Sequence, residues 1–152
     1  MSRPTILALA TLAGLACDQA TTTEPASYTA EAHATADSSQ SDRDALVALY
    51  RAAGGAGWRR SANWLSAAPL ADWHGVIVDT TGAVTSIDLG RNHLVGYLPS
   101  ELGTLKSLDT LDLSYNRITG EIPSELGALT SLDKLDLSYN RITGEIPSEL
   151  GA

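Results

Sequence analysis

The sequence has one cysteine, Cys17, among 152 residues. A single thiol closes no internal disulfide. No apolar run approaches the roughly 20 residues that a membrane-spanning helix needs. The leader run, Ile6 to Ala16, has only eleven. Basic residues are few: ten Lys and Arg stand against eighteen Asp and Glu, giving a formal net charge of -8. No basic run and no interleaving of aromatic with basic residues is present, so nucleic acid is not an expected partner. The acidity suits solubility outside the cell. Catalytic signatures are missing too: there is no HExxH, CxxC, GxSxG or P-loop pattern. His33, His74 and His93 pair with no nucleophile at a recognisable spacing. The turn Asp79-Thr80-Thr81-Gly82 lacks the alternating acidic ligands of a calcium loop. These absences lead us to expect no enzyme, no metal site and no cofactor.

The chain is rich in repetition. Leu111–Ala128 and Leu135–Ala152 both read LDLSYNRITGEIPSELGA, 18 identical residues at a spacing of 24. A degenerate copy, IDLGRNHLVGYLPSELGT, runs from Ile87 to Thr104. A fixed period of this length marks stacked coils, not a closed globule. Within one unit, Leu111 and Leu113 alternate with Thr110, Asp112 and Ser114, the pattern of a strand with one buried face. Gly120 and Pro123 then turn the chain back. Stacking the units places their strands in a parallel sheet about 4.8 Å apart. Asn92, Asn116 and Asn140 recur once per unit among leucines. A buried amide needs partners, and the bend and the neighbouring coil can supply them, which favours a structural role over a ligand-binding row.

The pattern LxxLxxLxLxxNxxxGxxPxxLGxL, carried by Leu108, Leu111, Leu113, Asn116, Ile118, Gly120, Pro123, Leu126 and Gly127, resembles the plant-type leucine-rich repeat and covers Val84 to Ala152. The resemblance implies an α/β solenoid: a right-handed superhelix with a short parallel sheet on its concave face and 3₁₀ or second-strand segments behind. About three repeats occupy 84–152, the last incomplete.

Ahead of the repeats, Ser41 to Gly55 reads as an amphipathic helix, with Ser41 as N-cap, Asp44 reaching back and Gly54-Gly55 as the stop. Trp58, Trp64 and Trp73 follow and are expected in a core. Gly75–Asp79 and Ala83–Leu89 flank a turn and read as a hairpin. The series DRDALVALY, two tryptophans, PLADWHGV and GAVTSIDL resembles the N-terminal capping domain of leucine-rich repeat proteins. That makes 41–83 a helix-plus-hairpin cap. Ala71 and Val78 stand where the family often carries cysteines, so the resemblance is to a bacterial-type cap held by packing.

Met1–Ala16 has Arg3 followed by the short apolar run, the make-up of a secretory signal. Ala13-Gly14-Leu15-Ala16-Cys17 resembles a bacterial lipobox, which implies a signal over 1–17 and a lipid on Cys17. Ordinary cleavage nearby and an uncleaved anchor are the alternatives. Residues 18–40 are rich in Ala, Thr and Ser, and we expect a disordered tether about 25 Å long.

On the stacked coils, Asp88, Asp112 and Asp136 align, as do Arg91, Tyr115 and Tyr139, and His93, Arg117 and Arg141, with Lys134 nearby. Tyr and Arg are frequent binding anchors. The candidate concave-face site is Asp112, Tyr115, Arg117, Asp136, Tyr139 and Arg141. The expected function is an exported, lipid-anchored cell-surface module, or a secreted one, that binds a protein or peptide, or a glycan. The alternatives are the sensor fragment of a larger receptor or surface enzyme, and a structural surface protein that self-associates end to end. The sequence stops within the third unit, which reads as a fragment.

Overall fold

A computed structural model describes the backbone of residues 27–151 and the side chains of 38–151. The leader, Cys17 and the first part of the expected tether lie outside the described residues.

The first element is a helix, α1, Ser27–Ala52. It starts well before the expected N-cap, so Ser41 lies mid-helix and exposed. Helix thus occupies 27–40, where an unfolded tether was expected. The cause is local. The stretch from Ser27 to Ala52 has no Gly or Pro and many Ala, the best helix former. The Asp44 carboxylate does not reach back to Ser41; it accepts from Gln40 Nε2 at 2.9 Å, one turn away. Gly54 ends the helix in the left-handed region at φ 67°. The freed carbonyls of Ala52 and Ala53 accept from Tyr97 N (3.2 Å) and Val95 N (3.0 Å), which ties the helix end to the first coil.

Leu46 and Leu49 of α1 are fully buried and share one core with the repeat leucines. Trp58, Trp64 and Trp73 are all buried, with Trp58–Trp64 centroids 4.8 Å apart and Trp64–Trp73 centroids 5.0 Å apart. Asp42 is buried in the same helix, and its Oδ2 accepts from Val84 N at 2.8 Å. Burial pushes its carboxyl above the ordinary 3.8, and the Val84 bond only partly opposes this. A raised carboxyl binds its proton better in the folded chain. Its contribution therefore disfavours folding as pH climbs from 3.8 through the raised value.

Strands β1, Val76–Val78, and β2, Val84–Asp88, form the expected antiparallel hairpin. Asp79 builds its turn: Oδ1 accepts from Thr81 N, Thr81 Oγ1 and Ala83 N at 2.6–3.1 Å. β2 then opens the repeats. The later strands are β3, Val95–Gly96; β4, Thr110–Asp112; β5, Arg117–Gly120; β6, Lys134–Asp136; and β7, Arg141–Ile142. The main sheet runs β1-β2-β4-β6, and a second sheet runs β3-β5-β7. All repeat strands pair in parallel, with Ile87, Leu111 and Leu135 in one row and Asp88, Asp112 and Asp136 in another. Short 3₁₀ turns at Ser100–Thr104, Ser124–Ala128 and Ser148–Gly151 close each coil. They pack so tightly that a Cβ on Gly103 would run into Glu125 of the next coil.

The asparagines join the coils. Asn116 Oδ1 accepts from Asn92 N and Leu94 N, both at 3.0 Å. Its Nδ2 donates to Leu89 O and Leu113 O at 2.9 Å. Asn140 repeats the pattern, accepting from Ile118 N at 3.0 Å and donating to Leu113 O at 2.8 Å. Leu111 and Leu113 are fully buried, whereas Leu135 and Leu137 of the last coil are half-buried. We predict that Asn116→Ala lowers stability by about 1–3 kcal/mol for each buried amide it leaves unpaired, and that Asn140→Ala costs less. Urea unfolding midpoints of the two variants check this order.

Candidate binding face

Each strand of the main sheet turns one side chain inward and its neighbours outward. The outward rows are Ser86, Thr110 and Lys134, and Asp88, Asp112 and Asp136. The aspartates do structural work. Asp88 Oδ1 accepts from Gly90 N (3.2 Å), Asp112 Oδ1 from Ser114 N (2.9 Å) and Asp136 Oδ1 from Ser138 N (2.9 Å). Each carboxylate caps the bend two residues on. The Ser138 hydroxyl, then its N–H, and last the Lys134 charge hold the Asp136 carboxyl below the usual value. Its stabilising contribution is present above the ordinary 3.8 and is lost as pH falls through the lowered value.

Past the bend come Arg91, Tyr115 and Tyr139, each at φ 55°. This left-handed conformation costs an L-residue roughly 1–2 kcal/mol, and Gly or Asn adopts it most cheaply. It is held by Arg91 N donating to Ser114 O (2.9 Å) and Tyr115 N donating to Ser138 O (3.0 Å). The conformation swings the following asparagine inward and leaves the preceding side chain in solvent. Tyr115 is 43% exposed and Tyr139 is 70% exposed. Their rings stack at 4.2 Å with planes 11° apart. The Arg91 guanidinium lies 4.1 Å above the Tyr115 ring. The result is one exposed cation–aromatic column that crosses three coils.

The expected site residues divide. Asp112, Tyr115, Asp136 and Tyr139 share this face. Arg117 and Arg141 do not; they open β5 and β7 in the second sheet. The inward-turned asparagine just before each, buried Asn116 and half-buried Asn140, is the corner, so residues beyond it run along another side of the coil. Arg91 belongs to the column although it was not among the chosen six; its place one period before Tyr115 was the signal. Among the described residues, no group of His, Cys, Asp or Glu is arranged to hold a metal ion. No described helix is long and apolar enough to cross a membrane.

Residues 83–142 match the family described as leucine rich repeat. The coils in this stretch thus match leucine-rich repeats. Solved structures similar to the chain include the ectodomain of the receptor kinase SOBIR1 from Arabidopsis thaliana: 27% identity, 73% of this chain, 60% of that one, TM-score 0.58. The BIR2 ectodomain from Arabidopsis thaliana is 33% identical over 68% of this chain and 59% of its own, with a TM-score of 0.56. The Arabidopsis receptor kinase HAESA, solved with the peptide hormone IDA and the co-receptor SERK1, is 33% identical over 68% of this chain and 18% of its own, with a TM-score of 0.56. The chain thus spans less than two thirds of each of these relatives. No curated protein matches it. The likeness supports a plant-type leucine-rich repeat protein with parallel repeat strands.

The left-handed cost and the ring stacking, the latter worth about 0.5–1.5 kcal/mol, are of similar size and opposite sign. Replacing Tyr115 and Tyr139 together by Asn should therefore change stability by no more than about 1 kcal/mol. Thermal unfolding of the double variant checks this. A larger loss would make the tyrosines part of the fold's support.

Proposed function

We propose that this chain is an exported protein- or peptide-binding module and that the outer face of its main sheet is the binding face. The observation that carries this reading is the Arg91–Tyr115–Tyr139 column. Two large aromatic rings stand exposed at backbone positions where a smaller residue is cheaper. The fold therefore gains little from them, whereas a partner gains two rigid anchors at low entropic cost. HAESA, a relative by structure, has been solved with a peptide hormone, which fits a peptide as the ligand here. A glycan stacking on the tyrosines is the second ligand class.

The remaining parts serve this module. Residues 41–83 act as the N-terminal cap, with the tryptophan cluster covering the first coil and Asn92 joining the two. Residues 84–152 form the repeats of a right-handed superhelix. Residues 1–17 are a signal that ends in a lipid-modified Cys17, and 18–40 carry the module away from the membrane. A lone cysteine directly behind small residues supports the lipid. The exposed, stacked rings make a self-associating surface the weaker reading.

Two experiments test this. The full chain is used to select from a random peptide library. The selected peptides should lose at least tenfold in affinity, about 1.4 kcal/mol, for the Tyr115→Ala, Tyr139→Ala double variant. No selection, or unchanged affinity, would refute the choice of face. For the anchor, Cys17→Ala should move the protein expressed in a bacterial host from the detergent phase to the aqueous phase. Continued partitioning into detergent would rule out lipidation at this residue.

A further inference from the structure

The tyrosine column ends at Arg91, and Arg91 also lines a cavity of about 320 Å³. Arg59, Arg60, His74, Asp88 and Asn92 line it as well. Three arginines and one aspartate line it, in a chain whose formal net charge is -8. Neighbouring guanidinium groups repel one another locally, and an anion between them relieves that repulsion.

The backbone under the cluster is built, not loose. Arg59 N donates to Asn92 O at 2.9 Å, Arg60 N donates to Asn92 Oδ1 at 2.7 Å, and Asn92 Nδ2 donates back to Arg60 O at 2.9 Å. These bonds hold both arginines in place and use none of their side-chain donors. Arg43 shows the contrast, since its guanidinium is occupied by Ser66 O and Ala68 O. Arg59 and Arg60 are exposed, and among the described residues their guanidinium groups bond to nothing. Arg91 lies over the Tyr115 ring, which engages its face and leaves its in-plane N–H groups free. Asp88, the one acid present, already accepts from Gly90 N.

We propose that this cavity is a site for a compact oxyanion, a carboxylate or a sulfate, carried by the bound ligand. A planar guanidinium fork matches such a group with two parallel N–H donors. The assignment to a peptide-borne anion rests on the reading of the face as peptide-binding; the oxyanion site itself does not. Two coils separate Arg91 from Tyr139, roughly 10 Å at the spacing of neighbouring strands. An extended peptide covers that distance in about three residues. The acidic group of the ligand therefore sits about three residues from the side chain that meets Tyr139. Asp112 and Asp136 flank the path and disfavour a second acid there.

Sodium sulfate and sodium acetate, titrated separately into the full chain with ionic strength held by sodium chloride, test the site. Nitrogen–proton NMR of the arginine side chains and of the Gly75 and Gly90 amides is the readout. Saturable shifts of Arg59, Arg60 and Arg91 are expected with at least one salt, and the better salt identifies the oxyanion. The Arg59→Gln, Arg60→Gln double variant should weaken binding at least tenfold. The Arg59→Lys, Arg60→Lys variant, which keeps the charge and loses the fork, should fall between the two. Native strand amide signals in both variants show that the fold is kept. Shifts that never saturate and spread equally to Arg117 and Arg141 would overturn the site, as would binding unchanged in the glutamine variant. Sulfate or acetate binding without any peptide binding would leave the site standing and refute the peptide reading. Peptide binding without either anion would do the reverse.

Discussion

A buried side-chain amide, placed once every coil, is the constraint on which the rest depends. The bend after each main-sheet strand exposes carbonyls and N–H groups that would otherwise be buried without partners. Asn116 meets these needs in two coils at once, accepting from Asn92 N and Leu94 N and donating to Leu89 O and Leu113 O. No apolar side chain of similar size can do this. The leucines supply most of the favourable burial, but apolar contacts alone tolerate sliding. The amide bonds set the stacking register, because they close only when successive units are aligned.

That register determines what the surface presents. Because the coils align, Asp88, Asp112 and Asp136 fall in one row and Arg91, Tyr115 and Tyr139 in another. Turning the asparagine inward requires the left-handed residue before it, and that residue is left exposed. The same bend that solves a hydrogen-bonding problem inside therefore offers an outward position in every coil. Here those positions hold one arginine and two tyrosines. The face is also polarised, with arginines clustered beside the first coil and aspartates along the path beyond it. An extended ligand would meet a direction as well as a surface.

Much of the fold was legible in the sequence because it is periodic. The repeat, the parallel pairing, the buried asparagines and the stacked tyrosines all follow from a spacing of 24 combined with a two-residue strand period. The hairpin was legible from its β-branched strands and glycine turn. What escaped was not periodic. The helix begins at Ser27, since a stretch with frequent alanine and no glycine or proline continues a helix even where few large apolar residues are present. Ser41 and Asp44 looked like a capping box, yet the residue that matters beside them is Asp42, whose bond to Val84 spans 42 positions and leaves no local trace. The expected column of His93, Arg117 and Arg141 does not form: in the second sheet Arg117 pairs with Val95 and Arg141 with Thr119, an offset two residues short of the repeat period, and the period alone does not reveal on which side of the corner a residue falls. Arg59 and Arg60 come from an irregular segment, and only Asn92 brings them to the face.

The amide joint holds the coils in register, and hydrogen exchange of the asparagine side chains reads that joint without altering the chain. The NH₂ groups of Asn116 and Asn140 donate to main-chain carbonyls of their own and the preceding coil. Slow exchange is expected for both, slower for buried Asn116 than for half-buried Asn140. Exchange at the rate of a free amide in both residues would contradict it, because the coils would then be joined by strand pairing and leucine packing without the amide.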